Sequence, residues 1–91
     1  MNVSERVEHK ELKLLAKHGL ITSVEVVGSG DAFFLTVKTS GKTQVLHNRS
    51  GEVRNWKRLE TLLGYMREEL GVSSVTLNLQ AWNPSQRQVA L

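Results

Sequence analysis

Four cations, Arg49, Arg54, Lys57 and Arg58, fall within ten residues, where a polar loop gives way to an amphipathic segment. Cations at a helix N-terminus oppose the macrodipole by about 0.3–1 kcal/mol each, so helix stability does not account for them. They could form a site for phosphates or an acidic protein surface, which Lys38 and Lys42 of the preceding hairpin would enlarge. Alternatively, Arg54 and Arg58 pair with Glu52 and Glu60 as solvated ion pairs that contribute little.

Catalysis is a poorer fit, because carboxylate pairs, nucleophilic triads and metal sites all need several converging polar groups. Asp31 is the sole aspartate, and His9, His18 and His47 fall in different elements. His9 follows Glu5 at helical spacing, which reads as a surface pair. His47 reads as a solvent-facing or sheet-capping histidine. The glycines of Gly28-Ser29-Gly30 neither precede Gly-Lys-Ser/Thr nor open a helix, so they mark a turn and not a phosphate loop. The expectation is a protein that is not an enzyme, with no metal, no cofactor and no small-molecule substrate. Three large aromatics bear on partners. Trp56 should anchor a helix to the sheet. Trp82, at the edge of the last strand, and Phe34, on the outer face of its strand, are candidate interface residues as well as candidates for packing.

The elements that position these residues follow from periodicity. Ser4, Glu5 and Glu8 at one end, and Lys17, His18 and Gly19 at the other, bound a helix over about 5–18 with Val7, Leu12 and Leu15 on its apolar side. Ile21 to Val27 reads as a strand ending in the turn GSGDA. Phe33, Leu35 and Val37 alternate with Phe34, Thr36 and Lys38 in a second strand, and Thr43 to His47 form a third. Trp56, Leu59, Leu62, Leu63, Met66 and Leu70 recur at steps of three and four, giving a helix over about 57–70 stopped by Gly71. A last strand starts at Val72, with Val75, Leu77 and Leu79 on one face. The expected fold is α+β in the order α-β-β-β-α-β: a three-strand antiparallel meander plus a final strand in a mixed four-stranded sheet, with both helices on one face. Residues 1–83 make the domain and 84–91 a flexible tail. An uncovered sheet face must be polar or find a partner, and a homodimer is one such partner.

Composition sets the remaining bounds. Ninety-one residues with 40% hydrophobic and 5% aromatic content suit one thin core, and the absence of cysteine removes disulfides and thiolate metal sites. No apolar run approaches the roughly 20 residues of a membrane span, and the charged start MNVSERVEHKELK does not read as a signal peptide, so the expected location is cytoplasmic and not a membrane. A formal charge of +3 permits nucleic-acid contact without requiring it.

The run RNWKRLETLLGYMREELGVSSVTLNL, preceded by GDAFFLTVKTSGKTQVL, resembles the small ParC-like, partition-associated proteins of plasmids and integrative elements. The similarity rests on Arg54, Trp56, Arg58-Leu59-Glu60-Thr61, Tyr65, the Leu70-Gly71-Val72 turn and the closing strand, and covers about residues 12 to 82. The resemblance implies a non-enzymatic bacterial accessory protein encoded with partition or stability functions, whose partner is a partition protein or DNA. It carries no catalytic residues over. The meander and second helix are also similar to sheet-in-groove DNA-binding domains of the integrase arm-binding and AP2 type, but the exposed face offers only Thr36, Lys38, Thr43, Glu25 and Phe34. The α-β-β-β-α order matches double-stranded RNA-binding domains, in which a lysine-rich stretch stands where this chain has NWKRLE.

Overall fold

In the computed structural model, which describes residues 5–83, the chain forms β1 (Glu5–Val7), α1 (His9–Lys17), β2 (Ser23–Gly30), β3 (Ala32–Thr39), β4 (Lys42–Leu46), α2 (Leu59–Glu69) and β5 (Thr76–Trp82). One mixed sheet has the strand order β1-β4-β3-β2-β5. β2, β3 and β4 form the antiparallel meander, while β1 runs parallel to β4 and β5 parallel to β2. The α+β class agrees with the sequence reading. The strand count and element order do not: there are five strands, in the order β-α-β-β-β-α-β.

The extra strand comes from the segment expected to begin the first helix. Glu5–Val7 pairs with Gln44–Leu46, and Val7 is 1% exposed within the core. The open edge of β4 offers backbone partners to three residues that have no strand signature of their own, and α1 begins only at His9. The proposed Ser4 cap and the tail 84–91 lie outside the described residues. At the other end of α1, Gly19 (φ 67°) closes the helix. Its amide donates to Ala16 and that of Leu20 to Leu15, at 3.1 and 3.0 Å, a left-handed C-cap of the kind glycine accommodates without steric cost.

β2 is longer than expected, running through Gly28 and Ser29, so that only Gly30 and Asp31 make the turn. Ser40 and Gly41, both with positive φ, make the next two-residue turn, a geometry that matches strand twist. β4 ends at Leu46, but pairing continues. His47 bridges Val53 across a short loop, and Trp56 exchanges two 2.8 Å backbone bonds with Phe33. This second bridge fixes Trp56 before any helix forms. α2 therefore starts at Leu59, two residues later than expected, and Arg54, Lys57 and Arg58 precede its first turn. The last strand likewise starts later, at Thr76 and not Val72.

Leu12 from α1 and Leu62 and Met66 from α2 enter one cluster with Val24, Val26, Phe33, Leu35, Val37 and Leu46. Both helices therefore cover the same sheet face. Trp56 is 7% exposed in that cluster. Truncating a buried Trp costs about 3–5 kcal/mol, so it anchors the start of α2 as its spacing suggested. No described helix is long and apolar enough to cross a membrane.

Candidate anion-binding notch

The parallel register of β1 on β4 builds the site. Val7 stands beside Leu46, and its carbonyl accepts from the His47 amide at 2.8 Å. The start of α1 and the loop after β4 thus emerge side by side. Between them, His9, Lys10, His47, Arg49 and Arg54 line a notch of about 630 Å³, with Asn48 in its wall and Glu8 as its one carboxylate.

Local bonding gives the loop its shape. The Asn48 side-chain oxygen accepts from the Ser50 hydroxyl at 2.6 Å and from the Glu52 amide at 3.1 Å, and Gly51 takes φ 91°. Arg49 is carried at the exposed tip. The His47 ring donates from Nδ1 to the Val45 carbonyl at 2.8 Å. A carbonyl can only accept, so the proton of this bond sits on Nδ1.

Arg54 is held from behind by two rings. Its guanidinium carbon lies 4.6 Å from the Trp56 ring centre and 5.3 Å from that of Tyr65. The two rings are 5.4 Å apart. Tyr65 shares a 2.7 Å hydrogen bond with His9 Nδ1. Burial raises the Tyr65 pKa above the usual 10.0; Arg54 pulls it down and Glu69 pushes it up, and the net direction is upward. The phenol is thus neutral at ordinary pH. Arg54 rests on aromatic faces instead of a carboxylate, which orients a cation while leaving its N–H groups available.

The six cations expected to form one patch are distributed differently. Arg49 and Arg54 meet at the notch, and among the described residues no carboxylate is within ion-pair distance of either. Lys57 pairs with Asp31 at 2.7 Å and Arg58 with Glu60 at 2.9 Å. The expected Arg54–Glu52 pair is absent. Lys42 lies 3.7 Å from Glu5 at the far end of β4. Lys38 borders a shallow hollow on the helix-free face with Glu25, Thr36 and Thr43. Phe34 is half-buried on that face, opposite Val27. Trp82 packs inward instead, 5.7 Å from Phe33 between ring centres, with its indole N–H buried and unpartnered among the described residues.

The expected Glu5–His9 surface pair is also corrected, because β1 removes Glu5 from the helix and His9 bonds Tyr65. Sequence reasoning missed the convergence of His9, Lys10, His47 and Tyr65. Nothing in their spacing announces it, since residues 9 and 47 meet only through the β1–β4 pairing. Among the described residues no group of three or more His, Cys, Asp or Glu side chains is placed to hold a metal ion. Around the notch, the cations Lys10, Arg49 and Arg54 can neutralise a carboxylate or a phosphate. Compared with protein-family models, with curated proteins and with solved structures, the chain matches none.

Proposed function

We propose that the protein is a non-enzymatic binding module that uses this notch to hold an acidic segment of another protein. The observation that carries the reading is the meeting of Arg49, Arg54 and Lys10 at one opening, with neither arginine neutralised by a carboxylate of the described chain. Its extent favours a peptide over a duplex. The notch shares His9 and Lys10 with a groove of about 740 Å³ along α1, where Lys17 stands beside Leu14 and Lys13 pairs with Glu69 at 3.1 Å. Leu14 is 55% exposed. Acidic side chains with an intervening apolar one would match that sequence of groups. The setting proposed for it is a plasmid or mobile-element partition or stability system in a bacterial cytoplasm, which rests on the resemblance alone.

A second reading, direct binding of duplex DNA, is favoured by the same unpaired arginines. It is weakened by the pairing of Lys57, Arg58 and Lys42, which leaves a compact cationic spot instead of a stripe along the duplex. A glutamate–leucine peptide and a duplex DNA are titrated at low and high salt, against wild type and an Arg49→Ala/Arg54→Ala variant. The first reading expects the peptide to bind and the variant to lose it. Tighter DNA binding with a steep salt slope would replace the first reading with the second. No binding of either, or binding that the double variant retains, would remove both. Location of the gene beside a partition ATPase gene would support the setting, and a metabolic operon would count against it.

A further inference from the structure

Arg54 is half-buried, yet among the described residues it meets no carboxylate and its guanidinium N–H groups make no hydrogen bond. The Trp56 and Tyr65 rings lie 4.6 and 5.3 Å from it. Ring faces attract a cation but offer no lone pairs to its N–H fork. A partly desolvated charge without a counter-charge is costly, so this fork is the part of the notch that most requires a ligand. Its neighbours are donors too. Arg49 and Lys10 can only donate. The Asn48 side-chain oxygen is already taken by the Ser50 hydroxyl and the Glu52 amide, which leaves its amino group to donate. Glu8, the one carboxylate in the wall, is exposed. Counted without the histidines, three permanent cations against that carboxylate leave two positive charges for a ligand to meet.

We propose that the acidic group seated in the notch is a phosphomonoester, carried on a phosphorylated serine or threonine of the partner segment. The inference rests on the reading of the notch as a site for an acidic segment of another protein, and it names the group that the segment brings. A glutamate supplies one charge and two acceptor oxygens. A phosphoserine supplies about −1.5 to −2 at pH 7 and three strong acceptor oxygens on one atom. Two of those oxygens match the fork of Arg54, and the third is left for Arg49 or Lys10. One side chain then balances the notch, where two glutamates would have to converge from separate backbone positions at a larger loss of side-chain freedom. The rest of the segment follows α1 past the exposed Leu14 toward Lys17. Free phosphate shares the chemistry of the group but would leave that groove empty.

Three labelled peptides that share a leucine and differ at one position, phosphoserine, glutamate or serine, are titrated against the full chain by fluorescence anisotropy. The phosphoserine peptide is expected to bind at least about tenfold more tightly than the glutamate peptide, the worth of one further charge-assisted hydrogen bond, and the serine peptide most weakly. Arg54→Lys keeps the charge and gives up the fork, so the preference for phosphoserine should shrink while glutamate binding changes little. Circular dichroism checks that the variant is folded. Lys57→Ala, which removes a lysine paired with Asp31, should bind like wild type. Equal affinity for phosphoserine and glutamate would overturn this inference and leave the acidic-segment reading standing, whereas binding of neither would remove both. A phosphoserine preference that Arg54→Lys retains in full would also overturn it. So would inorganic phosphate that binds as tightly as the phosphoserine peptide, because the notch would then be a site for the free anion.

Discussion

Gly28→Ala should destabilise the protein even though its backbone conformation suits any residue. Gly28 is buried in β2 and is not among the glycines with positive φ. A Cβ at this position would lie 2.7 Å from the Trp82 Cβ, 3.1 Å from its Cγ and 3.4 Å from the Phe33 Cε1. The first contact decides the outcome. A side-chain tip can rotate away, but the Trp82 Cβ moves only with the backbone of β5, which is bridged to Gly30. Removing glycine's freedom in the unfolded chain contributes about 0.4–1 kcal/mol in favour of alanine, while overpacking costs about 1–3 kcal/mol. The net expectation is a loss of about 1–2 kcal/mol. For a chain of this length that lowers Tm by about 5–15 °C. Thermal unfolding followed by circular dichroism measures it, with the emission of Trp82, read in a Trp56→Phe background, reporting whether its packing has shifted. A Tm at or above that of wild type would refute the placement of Trp82 over Gly28, and with it the inward packing of that ring.

Gly64→Ala should act in the opposite sense. A Cβ there meets nothing within 4 Å, and a glycine inside a helix costs about 0.8–1 kcal/mol relative to alanine, so the same melt should rise by about 4–8 °C. Tyr65 is the chain's one tyrosine, so the ultraviolet absorbance of tyrosinate reads its titration directly, and the midpoint should lie above 10.0 in the folded protein. Arg54→Ala should move that midpoint further up, because the arginine is the group that lowers it. A folded-state pKa above the unfolded value means that the contribution of Tyr65 is fully present below about pH 10 and is lost as pH rises through the folded pKa. Tyr65→Phe should therefore flatten the alkaline fall in the urea midpoint, compared with wild type.

Much of the sheet was legible along the chain because its signals are local. Phe33, Leu35 and Val37 alternate at the period of a strand, and each is 2% exposed or less. Gly19 and Gly71 both take positive φ directly beyond a helix, where a residue with a Cβ would be strained. Leu12, Leu62 and Met66 fall on the apolar sides that the helical period assigns them. The basic cluster was legible as composition only. Whether a cation is free depends on which carboxylate the fold brings near, and Asp31 reaches Lys57 from 26 residues away in the chain.

The linear order of residues determined the α+β class, the meander, the two helical stripes and the role of Trp56. Each rests on neighbours within a few positions, where steric preference and hydrophobic period act without help from the rest of the chain. The tertiary structure alone decided that Glu5–Val7 is a strand, that His9 and His47 share a notch, and that β5 is the last strand of the sheet among the described residues. Three residues gain a strand's hydrogen bonds only when β4 presents its unpaired side. The notch exists only because that parallel pairing sets two distant chain segments next to each other.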